Sequence, residues 1–506
     1  MLVTFLGHAG LLIETQRARL LVDPWLSHEG AYQAAWFQYP SNSHIQIGGL
    51  NHISAVIITH EHEDHFDREF LSRLPSHVPV FMPNYPSRYL KEQVRELGFS
   101  AARNLPQWRA MRIGDVSFFF VSELSPMNHD SALVIEHSGR TLLNLNDARL
   151  SSAQLDAIRH RSGKVAALLF QSTGASWHPM CYTYEEEHKR HISIQKAEAK
   201  LRSSLKTIKL LSPDIAVPFA GPPCFLDPEL IEYNHDSYFM DQWSVCSWLQ
   251  EHGVQGCSIF LPGDMYDLGS ASKIPDRQWQ GFDPMERFAH IEQMAPEKAP
   301  TIALVKSRFG EPARPVFPVF DRYFHSLLGM SPYFNRNIDM RVGFDVFGTH
   351  GGEWTVDFRA GHEGVYDQLD ECNYVYRLES RWLYALLNGR LRWENFFLSL
   401  RFTASRNPDL YCDYLLGLLK FAEVTPLRSV EHHEMRLRDT DTFVIEAEGQ
   451  RYRIARTCPH AGANLDEYAE VLPGRVLRCL AHYHEFSLDS GRCLNANGPP
   501  LSVKRL

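Results

Sequence analysis

Apolar residues in the first part of the chain come in short runs separated by turn residues. LVTFL (residues 2–6), LLIET (11–15) and RLLVD (19–23) predict three strands, with Gly7 and Gly10 marking the first turn and Asp23-Pro24 closing the third strand. AVIIT (55–59) is an unbroken apolar run and predicts a buried strand. Further strands are predicted at VSFFFVS (116–122), ALVIEH (132–137), TLLNLN (141–146) and DIAVPFA (214–220). A helix is predicted over roughly 185–210, its charged face visible in EEEHKRH and KAEAKLRSSLK.

The pattern weakens after Asp264. Residues 265–330 are rich in Pro, Lys and Asp and predict a linker or wrapping segment. Residues 331–425 mix strand and helix character, as in WTVDFRA (354–360) and RWLYALLNGRLRWENFFLSL (381–400). After Pro426, HEMRLRD (433–439), TFVIEAEG (442–449) and RYRIART (451–457) predict the short strands of a small all-β domain. With 506 residues the chain exceeds one ordinary core. Three regions are therefore expected, at 1–264, 265–425 and 426–506, in a multidomain α/β protein.

Composition narrows the class of partner. A net charge of −9 argues against nucleic acid and anionic membranes. No apolar run approaches the roughly 18 residues of a membrane span. The first residues read as folded strands, without the basic start and cleavage site of a signal peptide. Nine cysteines lie scattered without a disulfide-like framework, so reduced thiols and a cytoplasmic location are expected.

Two metal-ligand signatures stand out. His60-Glu61-His62-Glu63-Asp64-His65 begins where AVIIT ends, so its side chains lie on a loop at the C-terminal end of a strand, where a rigid sheet lets them converge. Near the other end, Cys458-Pro459-His460 and Cys479-Leu480-Ala481-His482 have the two-thiolate, two-imidazole composition of a Rieske [2Fe–2S] centre. Thiolates of Cys458 and Cys479 would bind one iron, and imidazoles of His460 and His482 the other. Eighteen residues separate His460 from Cys479, which suits two ligand loops on facing hairpin tips. The same four residues suit a structural zinc site, but the short strands around them and the tail FSLDSGR (486–492) favour the Rieske reading. Position 463 is Ala, so the extra cysteine pair of high-potential Rieske proteins is missing and an oxygenase-type cluster of lower potential is expected.

The H-x-H-x-D-H cluster after a buried strand resembles the metallo-β-lactamase superfamily. That resemblance implies an αββα sandwich in which His60 and His62 bind a first metal and Asp64 and His65 a second. It also implies His129 as a further first-metal ligand and Asp147 as the carboxylate bridging both ions, which makes Asp64 and Asp147 the carboxylates of the catalytic centre. The superfamily's last histidine is missing after DIAVP, where Phe219-Ala220-Gly221 stands instead, so His178 or His235 is expected to substitute. The segments Val217–Gly221, Asp267–Gly269, Asn388–Glu394 and Arg401–Tyr411 resemble CMP-N-acetylneuraminate hydroxylase, across much of residues 50–412. In that family the Rieske domain is N-terminal, whereas here its motif lies at the C-terminal end.

This resemblance implies a Rieske-coupled non-haem iron monooxygenase, with a diiron centre, using O2. The expected substrate is a small molecule such as an N-acyl sugar nucleotide, an amide or an amine. No dinucleotide-binding fingerprint is present, so electrons are expected from a separate NAD(P)H-dependent reductase, a ferredoxin or a cytochrome. A homo-oligomer would allow a neighbouring subunit to supply them. The rival reading is a zinc-dependent hydrolase, a lactonase or phosphodiesterase, with the Rieske domain as a redox sensor. An electron carrier alongside a hydrolytic centre has no evident use, and the pairing of motifs therefore favours redox chemistry.

Overall fold

The computed structural model describes the chain except for residues 174–175, 235–237, 438–441, 461–462, 467 and 481–482 and the side chains of 436 and 437. The chain divides into two compact units. The first comprises Met1–Leu124, Asn128–Ala175 and Ser193–Pro300, and the second Ser125–Met127, Ser176–Ile192 and Thr301–Leu506.

The first unit begins with β1 (Leu2–Gly7), β2 (Gly10–Glu14), β3 (Arg19–Val22), β4 (Ala55–Ile57), β5 (Val80–Pro83) and β6 (Ala102–Leu105). A second set follows: β7 (Met111–Ile113), β8 (Val116–Ser122), β9 (Ser131–His137), β10 (Arg140–Asn144), β11 (Val165–Gln171) and β12 (Ile215–Phe219). The chain then returns to the first sheet through β13 (Met265–Asp267) and β14 (Ser272–Ile274), giving the order β14-β13-β1-β2-β3-β4-β5-β6. The second sheet runs β12-β11-β10-β9-β8-β7. The boundary expected at 264/265 thus falls inside a sheet. Its signal is weak because every residue of β14 is exposed, so no apolar alternation marks it.

Phe5, Ile13, Val22 and Ile57 of the first sheet share one buried core with Phe118, Phe120, Ile135 and Leu169 of the second. On the outer face of the second sheet, Phe119, Val134 and Leu168 pack with Leu155, Leu201, Ile208 and Leu249 from helices. On the outer face of the first, Leu21, Val56 and Val80 pack with Phe70, Leu90 and Val94. Strands covered on both faces must be apolar throughout, which is why AVIIT and VSFFFVS read as unbroken runs. This is the expected αββα sandwich. Its helices are capped locally: Ser151 and Gln154 form a reciprocal capping box at the start of Ser152–Ser162.

The second unit holds a third sheet of β15 (Arg341–Phe347), β16 (Gly352–Asp357), β17 (Gly364–Tyr366), β18 (Tyr374–Glu379) and β19 (Phe402–Arg406), in the order β17-β16-β15-β18-β19. After β20 (Tyr411–Cys412) come the helices Asp413–Phe421 and Val424–Leu437. The strand expected at 433–439 is therefore helical up to residue 437. Its register explains this, since Leu427, Val430 and Glu434 are buried at helical spacing and Glu434 accepts hydrogen bonds from the Tyr333 and Tyr414 hydroxyls. The C-terminal module contains β21 (Thr442–Ala447), β22 (Gln450–Ala455), β23 (Ala469–Leu472), β24 (Val476–Cys479), β25 (Glu485–Ser487), β26 (Ala496–Asn497) and β27 (Val503–Arg505). These form the sheets β21-β22-β27 and β23-β24-β25 and the short pair β20-β26.

Among the described residues no helix is long and apolar enough to cross a membrane. One expectation about the thiols is corrected: Cys246 and Cys257 are joined by a disulfide. Cys246 lies on the helix Gln242–Glu251 and Cys257 directly follows the turn after it, an 11-residue separation that carries no sequence signature of pairing.

Candidate metal centre

The motif loop leaves β4 and is pinned from beneath by Asp23, which is fully buried after β3. Asp23 accepts hydrogen bonds from Thr59 N at 2.8 Å and Thr59 Oγ1 at 2.5 Å, and its Oδ2 lies 3.1 Å from His65 Nδ1. A carboxylate on one imidazole nitrogen fixes the tautomer and turns the other nitrogen toward an ion. His8, at a left-handed φ of 47° in the turn between β1 and β2, places Nε2 2.7 Å from Asp64 Oδ2. The Tyr32 hydroxyl donates to Asp64 Oδ1. Gly7 makes that turn possible: its φ is +102°, and a Cβ there would sit 2.1 Å from Gln38 Oε1.

Three groups of potential ligand atoms, each within 4.8 Å of one another, run across the loop: His60, His62 and Asp130; His60, His65 and Asp147; and His8, Asp64 and His65. His60 and His65 are shared between groups, so the set is continuous and large enough for two cations. His65 Nε2 and Asp147 Oδ1 are buried without a hydrogen-bond partner among the described residues and stand 3.7 Å apart. His60 Nε2 is 4.0 Å from Asp147 Oδ2 and from Asp130 Oδ1. These gaps exceed a hydrogen bond but fit two ligands on one ion at roughly 2.0–2.2 Å each. The donor set therefore fits a metal.

Electrostatics point the same way. Burial opposes charge on Asp64, yet His65, the bond from His8 and the charge of His62 hold its carboxyl well below the usual range. Burial also opposes charge on His65, yet Asp64, Asp147 and Asp23 push its imidazole up to about 10. Burial raises Asp147 despite the pull of His65. The carboxylates thus create a field that retains positive charge at their centre. Nearby, burial first and Asp130 second push the Glu123 carboxyl up to about 8. Burial, with Arg149, holds Lys200 well below the ordinary lysine range, and its ammonium donates to Gln171.

The structure brings together His60, His62, Asp64, His65 and Asp147. His129 belongs to none of the three groups; its Nδ1 is 2.9 Å from Glu61 Oε1 and its ring stacks on Tyr85 at 4.6 Å. Asp130, one residue on, joins His60 and His62 instead. His178 lies in the second unit, with Nε2 3.4 Å from the Tyr184 hydroxyl and its ring 5.0 Å from Tyr182, and is in none of the groups. His235 lies outside the described residues. Asp130, Asp23 and Tyr32 were not singled out as ligands or supports from sequence, because each comes from a separate turn with no motif of its own, whereas His8, beside the first turn, reads as a supporting or structural histidine.

In the C-terminal module, Cys458 and Cys479 are fully buried and outside any disulfide. Cys458 follows β22 and donates its N–H to Ala463 O at 2.8 Å, and Cys479 ends β24 and donates to His484 O at 2.8 Å. His460 lies two residues past the first thiol, and His482 lies outside the described residues. Two buried thiols of one apolar cluster, one of them two residues from an imidazole in sequence, fit an iron–sulfur cluster.

Residues 18–219 match the beta-lactamase superfamily domain, and residues 418–503 match the Rieske [2Fe–2S] domain. The sandwich and the thiol loops thus define a class: a metallo-β-lactamase-fold unit joined to a C-terminal Rieske domain, a redox protein. A Rieske 2Fe–2S iron–sulfur protein of Mycolicibacterium smegmatis is 30% identical over 534 residues, covering 100% of both chains. A counterpart in Mycobacterium tuberculosis is 30% identical over 530 residues, again covering 100% of both. The chain belongs to the family of these Rieske iron–sulfur proteins. The cytidine monophosphate-N-acetylneuraminic acid hydroxylase of Cricetulus griseus is 21% identical over 449 residues, covering 81% of this chain and 73% of that one.

Proposed function

We propose that the chain is a Rieske-coupled non-haem iron monooxygenase that uses O2 and electrons from a separate reductase to oxidise a small molecule such as an N-acyl sugar nucleotide, an amide or an amine. The observation that carries this reading is the presence, in one chain, of a Rieske domain and a buried histidine–carboxylate set spaced for metal ions. A one-electron carrier serves a centre that changes oxidation state, which zinc does not. Histidine and carboxylate ligands with open positions suit iron, which would supply O2 activation when bound. The relation to a hydroxylase supports the same reading.

In this reading His60, His62 and Asp130 would hold one ion and Asp64 and His65 a second, with Asp147, which groups with His60 and His65, as a further carboxylate ligand. Asp23 orients His65, and His8 and Tyr32 orient Asp64. Reducing O2 consumes protons, and the Glu123 carboxyl, kept protonated by burial and by Asp130, is a proton donor beside the set. Cys458, His460, Cys479 and His482 would hold the [2Fe–2S] cluster, which would supply one-electron transfer when bound.

Metal content with electron paramagnetic resonance on anaerobically purified protein tests this. The expected result is about four irons per chain and a reduced Rieske signal, two irons in the cluster and two at the sandwich site. About two irons with two zincs that added iron fails to displace would move the zinc hydrolase with a redox-sensing domain to the front.

A further inference from the structure

The second unit sets a carboxylate against the Rieske imidazole. Asp413 opens the helix Asp413–Phe421, immediately after β20, and its side chain is 4% exposed. Oδ1 lies 3.3 Å from His460 Nε2, and Oδ2 lies 3.0 Å from His484 Nε2. The two imidazoles stack at 4.0 Å with 16° between their planes. One buried carboxylate therefore engages two parallel rings through the same nitrogen of each.

Its position is held from both sides. β20 pairs in parallel with β26, Tyr411 opposite Ala496 and Cys412 opposite Asn497. Asn497 Nδ2 donates to Asn337 O at 2.7 Å, and Cys412 Sγ accepts from Leu415 N at 3.4 Å. The next residue, Gly498, approaches so closely that a Cβ would sit 2.6 Å from Asp413 Oδ2. With Nε2 of His460 turned to the carboxylate, Nδ1 is the nitrogen that would face an iron.

We propose that Asp413 is a positioning residue of the Rieske centre: it accepts a hydrogen bond from His460 Nε2–H, turns Nδ1 toward where the iron would sit, and lowers the cluster's reduction potential by placing a negative charge beside it. His484 shares the carboxylate and moderates its effect on His460. The inference rests on the assignment of Cys458, His460, Cys479 and His482 as cluster ligands.

The test is a reductive titration at one fixed pH of full-length protein that shows a Rieske signal. Asp413→Asn removes the charge and weakens the hydrogen bond, so reduction becomes easier by at least about tenfold in the equilibrium, about 59 mV for a one-electron couple. His484→Phe leaves the carboxylate to His460 alone, and the potential shifts in the opposite direction. A purely structural Asp413 would not give opposed shifts at an unchanged cluster content. Should Asp413→Asn lose the cluster, Gly498→Ala displaces the carboxylate while keeping its chemistry, and the same upward shift is expected. An unchanged potential in the intact Asp413→Asn or Gly498→Ala protein overturns the proposal. Loss of the signal in His484→Phe also overturns it, because His484 would then be a cluster ligand. A wild-type protein without a Rieske signal would instead sink the cluster assignment before any variant is compared.

Discussion

The Glu123 carboxyl, beside the histidine–carboxylate set, is raised from 4.5 to about 8 by burial and then by Asp130. Between those values the unfolded chain releases a proton that the folded chain keeps, so this group's contribution to stability falls as pH rises through the interval. In chelated, metal-free protein, the wild type should lose thermal stability relative to Glu123→Gln as pH rises from about 4.5 to about 8. A difference between the two that stays constant with pH would contradict the assignment. At this scale the sequence was legible where chemistry is contiguous. His60, His62, Asp64 and His65 share one loop and do lie together. Where candidate ligands arrive from separate turns the reading reached Asp147, through the resemblance, but not Asp130. Asp130, at the entry to β9, groups with His60 and His62, while His129, named from the resemblance, sets Nδ1 against Glu61 and its ring on Tyr85.

Elements place the site by their ends. The turn between β1 and β2 delivers His8 to Asp64, and Gly7 sets its course with a φ of +102° and no room for a Cβ. Gly7→Ala should cost about 1–3 kcal/mol, read as a lower melting temperature, because the left-handed backbone and the clash with Gln38 act together. It should also weaken metal retention more than a surface substitution of equal stability cost does; equal retention would separate the turn from the site. The strands of the sandwich were readable since burial on both faces makes them apolar throughout. The β13–β14 hairpin was not, being exposed, and the stretch 433–437 imitates a strand although its buried partners Leu427, Val430 and Glu434 follow helical spacing. Asp413 carries no motif at all; only the pairing of β20 with β26 reveals its place.

Across the whole molecule, the two centres reside in separate units, with the histidine–carboxylate set in the first and the thiol loops in the second. Each should therefore load on its own. Cys458→Ala should abolish the Rieske signal and keep about two irons, whereas Asp147→Asn should keep the signal and fall to about two irons. Both variants should lose turnover with a reductase, and parallel loss of all iron in either would contradict independent loading. The pairing of a metallo-β-lactamase-type domain with a Rieske domain was visible in the sequence because each signature is a compact motif; the disulfide between Cys246 and Cys257 was not, since pairing depends on where a helix and its following turn bring the thiols. The parallel pairing of β20 with β26 carries a consequence for ancestry. The matched Rieske segment starts at residue 418, downstream of Asp413, yet it closes on the strand that carries Asp413 into place. A recombination event that transplanted the cluster-binding segment alone would strand its carboxylate in the donor gene, so the inheritable module is longer than the motif that identifies it.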